Sequence, residues 1–439
     1  MWTVSRKSLG KGGIVSARVH PRIKQILRGA KQEAELRNEA IKRFNKRWRS
    51  WAIRTVRLQS LPRSVVLTAN PNLMDSEYLA ACMQKAACQG IKDINLWKGY
   101  SGRLQEILTE IQPLHFGLIM WSIGRVQLPL PLVYESLAKR AVYLIPDLTS
   151  NGLMATLWAL RRALIVPPDR LLQGTADIVM RRPESIRPGD YIKICNSLAF
   201  FAYGKSDRIF RDKISKISVE KFESDTFAQD FRSAIDPLAM ANLWNDDARV
   251  YILERFRKIF ITARPNHLLS AYHASVVVRV LAPSAWFNFV SDQTRGFYTS
   301  LATRHISAPN RGMSKFHADV SAVLEGDPFT VPHRNMFRWG PFWIDIGIET
   351  EDISQPDDSF DDDRKKCIVL DKPTSFFIND KTRYNQRSVL EHDLLSQVGW
   401  KVRHIHHMQW KKCRTRESKC AYLKRVLETE TSVRLSDST

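Results

Sequence analysis

Histidine and acidic side chains that could ligate a metal are concentrated in the last quarter of the chain. His404, His406 and His407 stand close together, and imidazole is a common metal ligand. Side chains alternate across a strand, so His406 and His407 should point to opposite faces and the three rings cannot converge easily. We interpret these histidines as packing or phosphate-contacting residues. The acidic run 349–363 is interpreted as a solvated insertion, because its spacing defines no metal-ligand set.

Cysteine spacing and hydropathy exclude several other kinds of site. The six cysteines are scattered, and none belongs to a Cys-x-x-Cys pair, so neither a zinc site nor a disulfide framework is indicated. A reducing compartment is the simplest interpretation. No apolar run approaches the roughly 18 residues that a membrane span requires. The sequence therefore predicts no metal, no cofactor and no membrane span.

Local patterns place strands and helices around the C-terminal histidines. Residues 368–370 are a short apolar run stopped by Asp371, as expected for a buried strand. Apolar residues at three- and four-residue steps predict a helix over 385–397, and Gly399 stands where its C-cap belongs. Alternation over 401–405 predicts a half-buried strand, which a basic helix follows. The predicted order is strand, turn, helix, strand and helix.

This order of residues resembles the RAP domain. That family shows an Asp-bearing strand, a Glu-x-Asp-Gly-Pro turn followed by His-Phe, a helix with a Leu-Leu pair, then Gly-Tyr-x-Val and a Trp. The matching positions here are Asp345, Asp371, Pro373, Phe376, Leu394, Leu395, Gly399, Val402 and Trp410. Val369, Lys372 and Ser375 stand where the family has Glu, Gly and His. The resemblance implies a small α/β fold that binds RNA.

The RAP fold in turn resembles the PD-(D/E)XK nucleases, whose Asp, second acid and Lys hold a divalent metal and activate a water. Here Val369 takes the place of the second acid and Asp371 the place of the Lys. Neither can do that chemistry, so we expect this copy to be non-catalytic. Lys372 is expected to project elsewhere from an ideal strand. We also expect Asp371 to cap the turn toward Thr374 and Asp345 to be structural.

A helical repeat is predicted before this module. Segments 116–125, 153–162 and 192–201 each have helical apolar spacing and are followed by Pro or Ser-Asp and a second helix. Trp158 follows Trp121 by 37 positions, a period that indicates stacked helical hairpins. The pattern is similar to heptatricopeptide and octotricopeptide repeats, and an irregular helical bundle is the alternative. Weaker copies lie at 83–87, 231–243 and 274–280.

The chain is strongly basic, with a formal charge of +22 and an isoelectric point of about 9.9. Such a balance favours a polyanionic partner, nucleic acid before membrane. Residues 1–65 hold 17 Lys and Arg against three acids, the first of which is Glu33. An acid-free opening with Arg and Ser is typical of a mitochondrial presequence. A basic helix over 30–58 with Trp48 and Trp51 could instead contact RNA; we weight both interpretations equally, and they can be successive pieces.

Basic side chains make up most of the predicted RNA-binding set, because Arg and Lys contacts to phosphate set affinity and register. In the extension the set comprises Arg43, Lys46, Arg47, Trp48 and Arg49. In the repeats it comprises Arg125, Arg161 and Arg162, for which a solvated helix face is the alternative. Trp121 and Trp158 are expected in the core. In the C-terminal module it comprises Lys372, Arg383, Arg387, Lys401, Arg403, Lys411, Lys412 and Arg414.

The expected fold class is mostly α, an α-helical hairpin solenoid followed by a small α/β RAP domain resembling the PD-(D/E)XK nuclease fold. The expected divisions are a basic extension (1–65), the helical repeats (66–310), the RAP domain (311–430) and a tail (431–439).

The expected function is binding of ribosomal RNA in an organelle, with the mitochondrial matrix favoured over the plastid. The protein would be a mitoribosome component in contact with other mitoribosomal proteins, or an rRNA processing or assembly factor. One alternative is an mRNA stability or processing factor. Another is a metal-dependent RNA endonuclease using Asp345, Asp371 and acids of the 349–363 run. A protein scaffold is a third alternative, which the net charge disfavours.

Overall fold

The computed structural model describes residues 66–67, 69–224, 231–260, 263–303, 312–348 and 366–428. The basic extension with its five predicted RNA-binding residues, the acidic run 349–363 and the tail lie outside the described residues. The described residues all belong to one compact unit, which spans Leu61–Thr439. The predicted boundary at 310–311 also falls outside them and stays a prediction.

Five helical hairpins form most of the described chain, followed by three further helices. The hairpins pair α1 (Ser76–Cys88) with α2 (Ile94–Glu106), α3 (Pro113–Val126) with α4 (Pro131–Leu144), α5 (Ser150–Ala163) with α6 (Asp169–Arg181), α7 (Pro188–Phe200) with α8 (Arg208–Ser224), and α9 (Pro237–Asn242) with α10 (Asp246–Ile259). The further helices are α11 (Pro265–Leu281), α12 (Pro283–Phe289) and α13 (Asp292–Thr303). The three predicted units coincide with α3 to α8, so the repeat prediction is confirmed.

Helix starts in the repeats are fixed by prolines and side-chain caps. Proline occupies the first turn of α3, α4, α7, α9 and α11, where its missing N–H costs no hydrogen bond. Asp75, Thr149 and Asn245 each accept a hydrogen bond from a backbone N–H in the first turn of α1, α5 and α10. Such caps satisfy donors that a helix leaves unpaired.

The hairpins stack so that their first and second helices form two layers. Helices α1, α3, α5, α7, α9 and α11 contact one another in sequence, and α2, α4, α6, α8 and α10 do the same more loosely. Trp121 and Trp158 are partly buried against the shared core, as expected. Among the described residues no single helix is long and apolar enough to span a membrane; α11 and α12 pass that test only as a pair bent by 107°.

Small residues let α3 and α5 approach backbone to backbone. A Cβ built on Gly117 would lie 2.8 Å from Cα of Gly152. Two turns further along α3, a Cβ built on Gly124 would lie 2.8 Å from Cβ of Ala159. The two contacts are seven residues apart on each helix, so α3 and α5 stay close over two turns. Gly117 and Gly124 therefore leave no room for a larger side chain at these two positions.

A four-stranded sheet with helices on both faces ends the described chain. Its elements are α14 (Lys315–Glu325), β1 (His333–Trp339), β2 (Phe342–Ile348), β3 (Lys366–Asp371), α15 (Gln386–Gln397), β4 (Lys401–His406), α16 (His407–Lys412) and α17 (Arg416–Glu428). The strand order is β1-β2-β3-β4, with β3 antiparallel to β2 and parallel to β4. Strand β1 was not predicted. Its central residue, Met336, has a positive φ of 49°.

The two faces of the sheet bury different partners. One face contributes Ile368, Leu370 and Ile405 to a core closed by α14 and α17. On the other face, Cys367 and Val402 join α15 in the same core as the helical repeats. Helix α15 also contacts α9 and α11. The sheet and the helical stack are therefore fastened together by one continuous apolar core.

Gly117→Ala should lower the free energy of unfolding by about 1–3 kcal/mol, because the new methyl group would collide with backbone atoms of Gly152. Gly102 in α2 is a matched control, since a Cβ there meets nothing within 4 Å. Gly102→Ala should stabilise the protein by up to about 1 kcal/mol. Urea denaturation measures both changes. Equal effects from the two variants would contradict the close approach of α3 and α5.

Candidate nucleic-acid interface

The carboxyl ends of the parallel strands β3 and β4 lie side by side, with Asp371 opposite His406. The Asp371 side chain is buried, and its Oδ2 atom accepts a hydrogen bond from the Tyr384 hydroxyl at 2.6 Å. Nδ1 of His404 lies 3.0 Å from both carboxylate oxygens. The expectation that Asp371 caps the turn toward Thr374 is therefore wrong, because the carboxylate is turned inward to these two partners.

His404 links Asp371 to a second buried imidazole. Its Nε2 atom makes a short hydrogen bond with Nδ1 of His392, which lies on α15. Burial, together with the neighbouring His404, lowers the pKa of His392 to about 4. Burial and the adjacent Asp371 raise the pKa of Tyr384, so its hydroxyl remains a proton donor. These four side chains form one hydrogen-bonded chain through the interior of the module.

His406 and His407 do not point to opposite faces, contrary to expectation. Strand β4 ends at His406 and α16 begins at His407, so the strand alternation stops between them. Their rings stack with centroids 5.0 Å apart and an interplanar angle of 16°. His404 is turned away into the interior. Within the described ranges, no three His, Cys, Asp or Glu side chains are arranged to hold a metal ion.

Asp345 joins β2 to the end of β3. Its Oδ2 atom accepts a hydrogen bond from the Leu370 N–H at 3.0 Å, and the Lys372 ammonium lies 3.0 Å from Oδ1. The expectation that Lys372 projects elsewhere is wrong, because β3 has ended at Asp371 and the chain leaves ideal strand geometry. Continuing the β2–β3 register by one residue places Asp345 opposite Val369.

The remaining positions of the predicted motif serve local packing. Phe376 is buried against the rings of Tyr384, at 4.3 Å, and His406, at 4.6 Å. Pro373 starts a short 3₁₀ turn. Gly399 has φ +91° just past α15, a left-handed conformation that favours glycine and confirms the predicted C-cap. The Trp410 indole donates a 2.7 Å hydrogen bond to Asp319 on α14.

The segment after the 3₁₀ turn, residues 377–379, docks onto the ends of α5 and α7, and we call this contact the seam. The ring of Phe377 packs against those of Phe200 and Phe201, with centroids 5.9 and 6.2 Å away. Next to it, the Ile378 N–H donates to the Leu164 carbonyl at 2.7 Å. The Asn379 side chain pairs with both the N–H and the carbonyl of Val166.

Two of the predicted RNA-binding arginines lie around the seam. The Arg161 guanidinium is 5.0 Å from the ring centroid of Phe200, and it pairs with Asp236 at 3.3 Å. Arg383 lies 5.6 Å from the centroid of Phe377. The structure thus brings Arg161 and Arg383 to one contact from two distant parts of the sequence. Arg387 is exposed on α15, and its charge helps to lower the pKa of His273 on α11.

The other predicted cations are distributed over separate places. Arg162 stacks on Trp158, and Arg125 is exposed at the end of α3. Lys401 starts β4 beside Lys366, at the opposite end of the strand pair from Lys372 and about 20 Å away along the strands. Arg403 is half-buried on β4, and Lys411, Lys412 and Arg414 are exposed in and after α16. The set therefore does not form one continuous patch.

Residues 368–426, from β3 to α17, match the family model of the RAP domain. The chain carries a RAP domain. The RAP domain is generally an RNA-binding domain, and here it packs on a stack of helical repeats. No curated protein matches the chain.

Sequence reasoning missed several side chains of the RAP domain. Tyr384 and His392 complete the network around Asp371, and Lys419 pairs with Asp319 beneath Trp410. Asp319 and Lys419 stand 100 positions apart, so no local pattern links them. His392 stands on the apolar face predicted for α15, and that placement was the only available signal of its burial.

His273→Phe should reduce the loss of stability in mild acid. Burial lowers the pKa of His273 to about 4, and Arg387 adds to the effect. An unfolded histidine titrates near 6.5, so the unfolded state binds the extra proton and stability falls as the pH drops from about 6.5 toward 4. At pH 5 the titration of His273 should lower the free energy of unfolding of the wild type by about 2 kcal/mol.

Urea denaturation at pH 7.5 and pH 5 measures this difference. The phenyl ring can keep the edge contact that His273 makes with Phe342. The variant should retain part of the acid sensitivity, because His392 also has a lowered pKa. If the free energy of unfolding falls equally between pH 7.5 and pH 5 in the wild type and in His273→Phe, then His273 does not titrate in this way.

Proposed function

We propose that this protein binds ribosomal RNA in the mitochondrial matrix, as a mitoribosome component or as an rRNA processing or assembly factor. The observation that carries the proposal is a RAP domain joined to a helical-repeat stack by a shared core. A RAP domain held in this way presents RNA-binding side chains from both parts in fixed relative positions.

The charge of the chain supports RNA as the partner. The formal charge is +22, and phosphate neutralisation by Lys and Arg is the main source of affinity for nucleic acids. Exposed cations follow the end of β4, at Lys411, Lys412 and Arg414, and Arg387 is exposed on α15. A large structured RNA such as ribosomal RNA offers phosphates to cations at more than one place.

The composition of the N-terminal residues supports the mitochondrial location. Acids are absent before Glu33, while Arg and Ser recur, as in presequences. The further excess of Lys and Arg up to residue 65 suits contact with RNA phosphates after import.

The proposal includes RNA binding without cleavage by the RAP domain. Both oxygens of Asp345 are engaged, by the Leu370 N–H and the Lys372 ammonium. Val369 offers no ligand atom, and the Asp371 carboxylate is committed to Tyr384 and His404. A nuclease of the two-acid type needs a second carboxylate at the place of Val369.

Val369→Glu should create a divalent-metal site, because the new carboxylate would stand opposite Asp345 across β2 and β3. The melting temperature of the variant should rise by about 5 °C at Mn²⁺ concentrations near 100 times its dissociation constant. Val369→Gln is the matched control, with the same size but no charge, and should not respond. Metal-dependent RNA cleavage by the wild type, abolished in Asp345→Ala, would refute binding without cleavage.

Crosslinking of the protein to RNA in purified mitochondria, with sequencing of the fragments and a density-gradient profile, tests the proposed function. We expect discrete ribosomal RNA crosslinks that comigrate with ribosomal particles or their precursors. Crosslinks to mRNA outside those particles would replace the ribosomal assignment with an mRNA stability or processing role. Absence of RNA above background, or absence of the protein from mitochondria, would refute the proposal.

A further inference from the structure

Four rings pack together at the carboxyl ends of β3 and β4, and two of them, His406 and His407, are stacked nearly parallel. Tyr384 packs on Phe376 with centroids 4.3 Å apart, Phe376 on His406 at 4.6 Å, and His406 on His407 at 5.0 Å. The inner ring of Phe376 is buried, whereas His406 and His407 are half-exposed. In the described part of the chain, the ring contacts of His407 are with His406 and Phe376, and its partial exposure places it at the protein surface.

The His407 ring is held in place rather than free to rotate. Its Nδ1 atom lies 3.1 Å from the backbone carbonyl of Asp371, to which it donates. The parallel neighbour His406 is fixed in turn, because its Nδ1 atom accepts the Met408 N–H at 3.1 Å. A ring fixed on one face and at one edge offers a preorganised platform, which lowers the entropy cost of binding.

Positive charge lies beside this platform. Helix α16 begins at His407 and carries Lys411 and Lys412, both exposed. His407 and Lys411 are four residues apart, so they lie on the same face of the helix. A flat group stacked on the His407 ring would therefore have a flexible ammonium within reach of any phosphate attached to it.

We propose that the outer face of His407 receives one unpaired RNA base and that Lys411 binds the adjoining phosphate. This inference rests on the proposed RNA binding and names a subsite within it. Proteins recognise unstacked RNA bases by stacking them on aromatic side chains, histidine included, and by pairing the backbone with cations. A base within a duplex is already stacked on both faces and cannot stack on the His407 ring. The ligand class is therefore single-stranded or bulged RNA.

Binding of a fluorescent single-stranded RNA to the full chain, followed by anisotropy, tests the subsite. His407→Ala removes the platform and should weaken binding by about tenfold. His407→Phe keeps a flat ring and should stay within about twofold of the wild type. Lys411→Glu should reduce the slope of log affinity against log salt by about one. The matched controls, His115→Ala on α3 and Lys213→Glu on α8, should leave affinity and slope nearly unchanged.

Ultraviolet crosslinking with mass spectrometry locates the contact independently of affinity. The wild type should crosslink through a peptide containing residues 401–412, and His407→Ala should lose that crosslink while its thermal unfolding stays cooperative. If the wild type binds RNA but His407→Ala binds equally well, the subsite is wrong and the proposed function stands. If the wild type binds no RNA, the subsite and the proposed function are both refuted. An equal loss of duplex binding in His407→Ala would also overturn the assignment to unpaired bases.

Discussion

The docking of residues 377–379 onto the helical repeats is the contact on which the arrangement of the molecule depends. Phe377 fills the space between the ends of α5 and α7, against Phe200 and Phe201, and aromatic pairs of this kind each contribute about 0.5–1.5 kcal/mol beyond area burial. Beside them, Asn379 satisfies both backbone groups of Val166, as a neighbouring strand would. Apolar burial thus provides the attraction, and hydrogen bonds determine the orientation.

The buried Asp371 carboxylate depends on the hydrogen bonds of its neighbours. A carboxylate out of contact with water is costly unless it is hydrogen-bonded, and Tyr384 and His404 supply those bonds. His392 then satisfies the far side of His404. Removing any member would leave a buried polar group without its partner, so the four side chains specify the turn between β3 and α15 as a unit.

The sequence was sufficient for elements whose limits are set by local chemistry. Prolines mark the starts of α4 and α6, and Gly399 marks the end of α15. Strand β1 escaped prediction because most of its residues are polar, namely His333, Arg334, Asn335 and Arg338, so no apolar pattern marks it. Lys372 and His407 were misplaced for a different reason: each was assigned ideal strand geometry, although each lies just past the last residue of its strand.

The candidate interface could be predicted only in part, since its members meet through tertiary packing. The arginines were recognisable as phosphate contacts, but their grouping around the seam follows from a contact between Val166 and Asn379, 213 positions apart. No sequence pattern within either segment indicates that Val166 and Asn379 contact each other. The cluster of rings around His406 and His407 likewise joins β4, α16 and the loop before α15, which no local window contains together.

The close approach of Gly117 to Gly152 also limits how α3 and α5 can move relative to each other. Only backbone atoms meet at this point, and two turns further along α3 Gly124 lies against Ala159. The glycine contact contains no long side chain whose rotation could absorb a shift of one helix along the other. The hairpins α3–α4 and α5–α6 are therefore expected to move as one rigid pair.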